Sequence, residues 1–214
     1  MAEYTLNIAF SNDDLAKLEG SGRKVVIVKQ TSDNSNGLHD TNGNDLGVAW
    51  LAIDPEQNIE VTWENKYMIY ASSSKFESGA SIKTSATEEE PMPKDFVYIY
   101  QNSGVFKSKD FDSGVKNTYY VRNEWKDTRT FGLAQEALVA GNGQGFTPIN
   151  AEPLFTDENA SFLPKEAVCI FLAKEDSSGK VISYVKSDVL SVDLTSESSR
   201  SVVYDSAISR FVNA

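Results

Sequence analysis

The sequence predicts an all-β, mostly antiparallel fold: a two-sheet β-sandwich or barrel-like domain with one short N-terminal helix. Three observations carry this. Roughly a dozen short apolar runs alternate with polar residues at period two. Turn signals such as Asn36-Gly37, Asn42-Gly43, Asn102-Ser103-Gly104 and Ser178-Gly179 punctuate them. No regular alternation of strand and helix runs along the chain, which argues against a parallel α/β sheet.

Tyr4, Leu6, Ile8 and Phe10 alternate with polar or small neighbours, as in a half-buried strand. Ser11 is a helix N-cap, Asp14 stands at the capping-box position, Leu15 and Leu18 share a face, and Gly20 is a stop signal. Lys24–Lys29 is β-branched and apolar on both faces, the pattern of a central strand. Residues 31–47 form a polar loop. Val48–Ile53 resumes a strand, Asp54-Pro55 breaks it, and Ile59, Val61 and Trp63 alternate again. Tyr67–Ala71 and Ala80–Lys83 read as strands.

Glu88-Glu89-Glu90-Pro91-Met92-Pro93 is a charged connector. One domain over 1–214 is expected, with an alternative boundary at 86–94. Phe96–Tyr100 is a strand, and hairpin-like segments lead to Tyr119–Val121. Phe131–Ala140 fits helical or strand spacing; the glycine run at 141–145 favours strand and turn. Phe146–Pro164, with three prolines, reads as irregular. Val168–Lys174, Lys180–Lys186, Val189–Leu194 and Ser201–Tyr204 close the chain as strands, and Ala207–Phe211 as a terminal helical turn. The run from Lys24 to Tyr70 resembles the run from Glu166 to Tyr204 in strand order, which suggests pseudo-twofold halves.

The chain of 214 residues carries 31 acidic against 20 basic side chains, a net charge of -11. Without clustered Lys and Arg, phosphate backbones are repelled, so nucleic acid is excluded as a partner. Met1-Ala2-Glu3-Tyr4 lacks the features of a signal peptide, and the single Cys169 sits in an apolar strand. A cytoplasmic location, or export without a signal peptide, is the expectation. Asn159-Ala160-Ser161 matches a glycosylation sequon, but coincidence is the reading in such a chain.

No nucleophile elbow, phosphate loop or metal-ligand spacing occurs, and His39 is alone in a polar loop. A non-enzymatic role is therefore expected. Glu60 and Glu64, flanking Trp63, are the best pair for carboxylate chemistry of the hydrolase kind. Asp33, Asp40, Asn42, Asn44 and Asp45 offer hard oxygens for calcium, the one cofactor considered. They do not form an EF-hand, since Asp45 replaces its glycine and Leu51 its closing glutamate.

The stretch from Asn117 to Trp125 mixes aromatic and polar residues at a loop edge. Tyr119, Tyr120, Arg122, Asn123 and Trp125 are the expected ligand-binding rim of a lectin-like binding protein, with a glycan or a protein surface as partner. The alternative is a membrane-active, pore-forming or insecticidal-type defence protein. It would enter lipid with the same aromatics and assemble as a homo-oligomer through exposed strands.

Overall fold

The computed structural model describes residues 2–31, 47–87, 93–110, 115–174, 177–182 and 188–214. Their elements are β1 (Glu3–Ala9), α1 (Asn12–Leu18), β2 (Lys24–Thr31), β3 (Leu51–Ile53), β4 (Asn58–Glu64), β5 (Met68–Ser72), β6 (Thr84–Thr87), β7 (Phe96–Tyr100), β8 (Phe106–Asp110) and β9 (Tyr119–Asn123). There follow β10 (Arg129–Val139), β11 (Asn142–Pro148), β12 (Glu152–Leu154), β13 (Asn159–Phe162), β14 (Pro164–Ala173), β15 (Leu190–Asp193), β16 (Ser199–Asp205) and β17 (Arg210–Asn213). The fold is all-β, mostly antiparallel and sandwich-like, with one short helix. None of its described helices is long and apolar enough to cross a membrane.

The large sheet is organised by β10. Thr130 pairs with both Ser72 and Pro153, and Leu138 with both Thr62 and Gly143. A strand has only two edges, so β4 and β5 run end to end along one side of β10, and β11 and β12 along the other. Beyond β4 lies β1, which pairs in parallel with β16 on its other edge; β17 follows β16. Two four-stranded sheets, β13-β9-β7-β8 and β15-β14-β2-β3, complete the described structure.

Side-chain alternation assigns each face of these strands. In β2, Val25 and Ile27 enter the main core with Leu6, Val61, Leu133 and Tyr98, contributed by the other two sheets. Val26 and Val28 point the opposite way and pack with Cys169 and Phe171 of β14. Both faces of β2 are thus covered, as its apolar run predicts. Period two also carries Lys29 to the main-core face, where it is 1% exposed.

The predicted N-cap is present. Ser11 Oγ accepts from the Asp14 backbone N–H at 3.1 Å and donates to Asp14 Oδ2 at 2.6 Å. These bonds, with one from Ser206, hold the Asp14 carboxyl below the usual carboxylate range. Ser11→Ala removes both contacts, and a loss of about 1 kcal/mol is expected. Thermal unfolding checks this as a fall of about 2–4 °C in midpoint.

At Gly132, β10 is crowded by Tyr70 and Asn150. Tyr70 Oη donates to the Asn150 carbonyl at 2.5 Å, and Asn150 Oδ1 accepts from the Leu133 N–H at 2.7 Å. A Cβ on Gly132 would lie 2.7 Å from the Tyr70 hydroxyl and closer still to the Asn150 carbonyl. Only glycine fits between these two groups.

Three expectations are corrected. Residues 207–211 form no helical turn: Arg210–Asn213 is a strand because Phe211 and Val212 pair with Tyr204 and Val203. Phe146–Pro164 is not irregular but yields the end of β11, then β12 and β13, each ordered by pairing with β10 or β9. Ala80–Lys83 contributes a single bridge, Ser81 to Lys180, and the strand begins at Thr84. After the turn at 177–179, Val181 bridges Val48.

In the suggested duplication, β2 and β14 are antiparallel neighbours flanked by β3 and β15. The continuations differ: by that order β4 answers to β15, yet β4 pairs with β1 and β10 in the large sheet whereas β15 pairs with β14. The rest of the predicted Lys180–Lys186 strand, from 183, and most of the connector at 88–92 lie outside the described residues.

Candidate functional site

The direction of each strand in the β13-β9-β7-β8 sheet places three turns at one end. β7 and β9 are parallel, and β8 and β13 run against them. The turn at 101–105, the loop at 124–128 and the turn at 155–158 therefore lie together. Backbone contacts tie them: the Glu124 N–H donates to the Tyr100 carbonyl at 2.9 Å, and the Asp157 N–H to the Asn123 carbonyl at 2.7 Å. The Lys126 N–H reaches Asn102 Oδ1 at 3.0 Å.

The alternation of β9 divides the predicted rim in two. Tyr119, Val121 and Asn123 face inward; Tyr120 and Arg122 face outward. Tyr119 is 2% exposed and meets Tyr67 edge-on with ring centroids 5.8 Å apart. Burial pushes its phenol well above the ordinary range.

Asn123 is wholly buried, and its amide is fully engaged: Nδ2 donates to the Asp127 and Leu154 carbonyls at 3.1 and 3.0 Å, and Oδ1 accepts from the Trp125 N–H at 2.9 Å. Asn123 is thus the internal staple of the turn cluster, and Tyr119 is core. Both are corrected from ligand contacts to supports, for the same reason: strand parity turns them inward.

Tyr120, Arg122 and Trp125 are half-buried at the surface. Arg122 lies 3.4 Å from both Glu124 and Asp157, which fix its guanidinium between β9 and the 155–158 turn. Trp125 packs against Tyr100 with centroids 5.7 Å apart, and the Arg129 guanidinium lies 5.1 Å over its ring. The most exposed large apolar side chains of the cluster are ones the sequence did not single out. Phe155 is 66% exposed and Val105 is 56% exposed. A phenylalanine directly before Thr156-Asp157-Glu158, whose Glu158 carboxylate accepts from the Phe155 N–H at 2.8 Å, is a turn signal that could have marked it.

The carboxylate pair is not brought together. Glu60 and Glu64 share the outer face of β4 four residues apart, about 13 Å along a strand. Paired carboxylates that cleave glycosides sit about 5–9.5 Å apart. Lys66 bonds to Glu64 and lowers its carboxyl from the ordinary value, opposite to the shift a general acid needs. The proposed calcium ligands Asp33, Asp40, Asn42, Asn44 and Asp45, and His39, lie outside the described residues. Among the described residues no cluster of three or more His, Cys, Asp or Glu could hold a metal.

The most unusual electrostatic feature is interior. The Lys29 ammonium has no solvent exposure and lies 3.7 Å from Glu166 Oε2. It sits 4.6 Å over the Trp63 ring and 5.4 Å from that of Trp50. Tyr67 Oη donates to Glu166 Oε1 at 3.3 Å. Burial drives the Lys29 pKa down to about 8, against the opposing pull of Glu166. With Lys29 sealed from solvent and Glu166 mostly so, the consequence of this cluster is for stability. Neither protein-family models nor curated proteins nor solved structures match this chain, so its function is read from its own residues.

Proposed function

We propose that this chain is a non-catalytic binding protein that docks a partner protein through the turn cluster at 101–105, 124–128 and 155–158. The observation that carries this is Phe155, two-thirds exposed on a turn pinned to β9, with Arg122 ion-paired beside it. An exposed aromatic next to an immobilised arginine is the composition of an interface hot spot. The buried Asn123 staple fixes the turns before a partner arrives, which lowers the entropy lost on binding. A protein surface is favoured over a glycan because the Trp125 ring is already engaged by Arg129 and Tyr100. Phe155 and Val105 are knobs that suit an apolar pocket on a partner.

The test is quantitative affinity capture with the wild-type chain and with Phe155→Ser/Arg122→Glu. A partner retained by wild type should bind the double variant at least about 100-fold more weakly, as two hot-spot losses imply. Equal capture by both would sink the proposal. The same variants in a dye-release assay on phosphatidylcholine vesicles address the membrane-active reading. Release by wild type that is lost in Phe155→Ser, with growth to a large oligomer by light scattering, would replace docking by membrane action.

A further inference from the structure

A second surface, on the outer face of the large sheet, has the chemistry of a binding groove. Between Ala134↔Met68 and Leu138↔Thr62, β10 advances four residues while the β4–β5 side advances six. Two extra residues on one side make a bulge and interrupt the ladder. Gln135 lies in the gap and donates from Nε2 to the Glu64 carbonyl at 2.7 Å. The interruption opens a groove of about 330 Å³. That volume lies at the small end of ligand sites and holds one or two side chains.

Pairing register places the lining. Glu3 is opposite Glu64, and Glu136 is opposite Phe146. Three carboxylates, Glu3, Glu64 and Glu136, therefore line the groove with Lys66, which bonds to Glu64. Beside them Leu138 is 41% and Phe146 36% exposed. Trp63, between Thr62 and Glu64, completes the floor, with its indole turned to the main-core face over Lys29. An excess of carboxylates beside an apolar wall matches one kind of occupant.

We propose that this groove binds a peptide segment in which a Lys or Arg side chain is adjacent to an apolar one. The cation replaces Lys66 at Glu64 and lies among Glu3 and Glu136. The apolar side chain covers Leu138 and Phe146. An anionic or wholly apolar segment meets unpaired carboxylates and is rejected. This site is separate from the turn cluster and does not depend on it.

The probe is an acetylated, amidated Leu-Arg-Leu tripeptide, titrated into the ¹⁵N-labelled chain at low salt. Saturable shifts are expected at the amides of Glu64, Glu136, Leu138 and Phe146. The citrulline counterpart, isosteric but uncharged, should bind at least tenfold more weakly, and so should arginine peptide offered to Glu64→Gln/Glu136→Gln. Both substituted residues are at the surface, so the variant keeps its fold, checked by its own spectrum. Phe155→Ser/Arg122→Glu should bind the tripeptide as wild type does, while Glu64→Gln/Glu136→Gln should keep partner capture. No saturable shift up to millimolar peptide, or equal binding of the arginine and citrulline peptides, overturns the proposal.

Discussion

Glu166→Ala should lower the unfolding free energy at pH 7 by about 3–5 kcal/mol, the cost of stranding one member of a buried ion pair. The Lys29 ammonium has no solvent to return to, and the remaining groups around it, Trp50, Trp63 and the Tyr67 hydroxyl, carry no negative charge. Replacing both partners, as in Lys29→Met/Glu166→Leu, should restore wild-type stability or exceed it, because no charge is then desolvated. Urea unfolding of the three proteins decides the matter. A Glu166→Ala chain within about 0.5 kcal/mol of wild type, the size of an ordinary surface substitution, would mean that water reaches the pair.

The same pair sets a pH dependence. The folded pKa of Lys29 is about 8, below its ordinary value of 10.5, so between these limits the unfolded chain holds more proton than the folded one. Stability therefore rises with pH across that window, by about 3 kcal/mol if completed. Tyr67, Tyr70 and Tyr119 act in the opposite sense. Burial holds their phenols well above the ordinary value, so their contribution is present below about pH 10 and lost above it, where the unfolded tyrosines ionise. The urea midpoint of the wild type should climb from about pH 7.5 to about 9.5 and fall beyond about 10. The double Met/Leu variant should show only the fall.

Gly132→Ala is the second large effect. The added methyl cannot be absorbed by a flexible side chain, because its neighbours are the Asn150 carbonyl and the buried Tyr70 ring. Relief requires parting Tyr70 Oη from that carbonyl or shifting β10 from β5, and either leaves buried polar groups unpaired. Overpacking alone costs about 1–3 kcal/mol, and an unmade buried hydrogen bond adds about 1–3 more. A loss of about 3 kcal/mol or more is expected in equilibrium unfolding. Tyr70→Phe added to Gly132→Ala should recover part of it by removing the hydroxyl that the methyl meets.

Strand parity and capping made much of the fold legible. Leu6 and Ile8, Val25 and Ile27, and Ile59 and Val61 alternate where the structure buries them, and Ser11 caps where it should. The stretch from Phe146 to Pro164 was opaque for a physical reason. β12 contains Pro153, and Asn142–Phe146 of β11 is exposed and glycine-rich; pairing with β10 makes both strands, and no local preference does.

The candidate site was legible in composition but not in parity. The mixed aromatic and polar stretch up to Trp125 stands out in the sequence, yet Tyr119 and Asn123 could not be told from Tyr120 and Arg122 until the inward face of β9 was known. Phe155 comes to the cluster through β13, a strand no periodicity announced. Lys29 was missed because a lysine ending an apolar run is ordinarily exposed.

The parallel pairing of β1 with β16 joins Thr5 to Ser199, nearly two hundred residues later. On the ribosome, β1 can meet β4 early, but its other edge has no partner until Ser199–Asp205 has been made. For that interval Leu6 and Ile8 lie on a strand with open N–H and C=O groups, a template for any neighbouring nascent chain. Completion of this sheet is thus timed by translation, and a chain stalled before β16 carries an unfinished, adhesive edge.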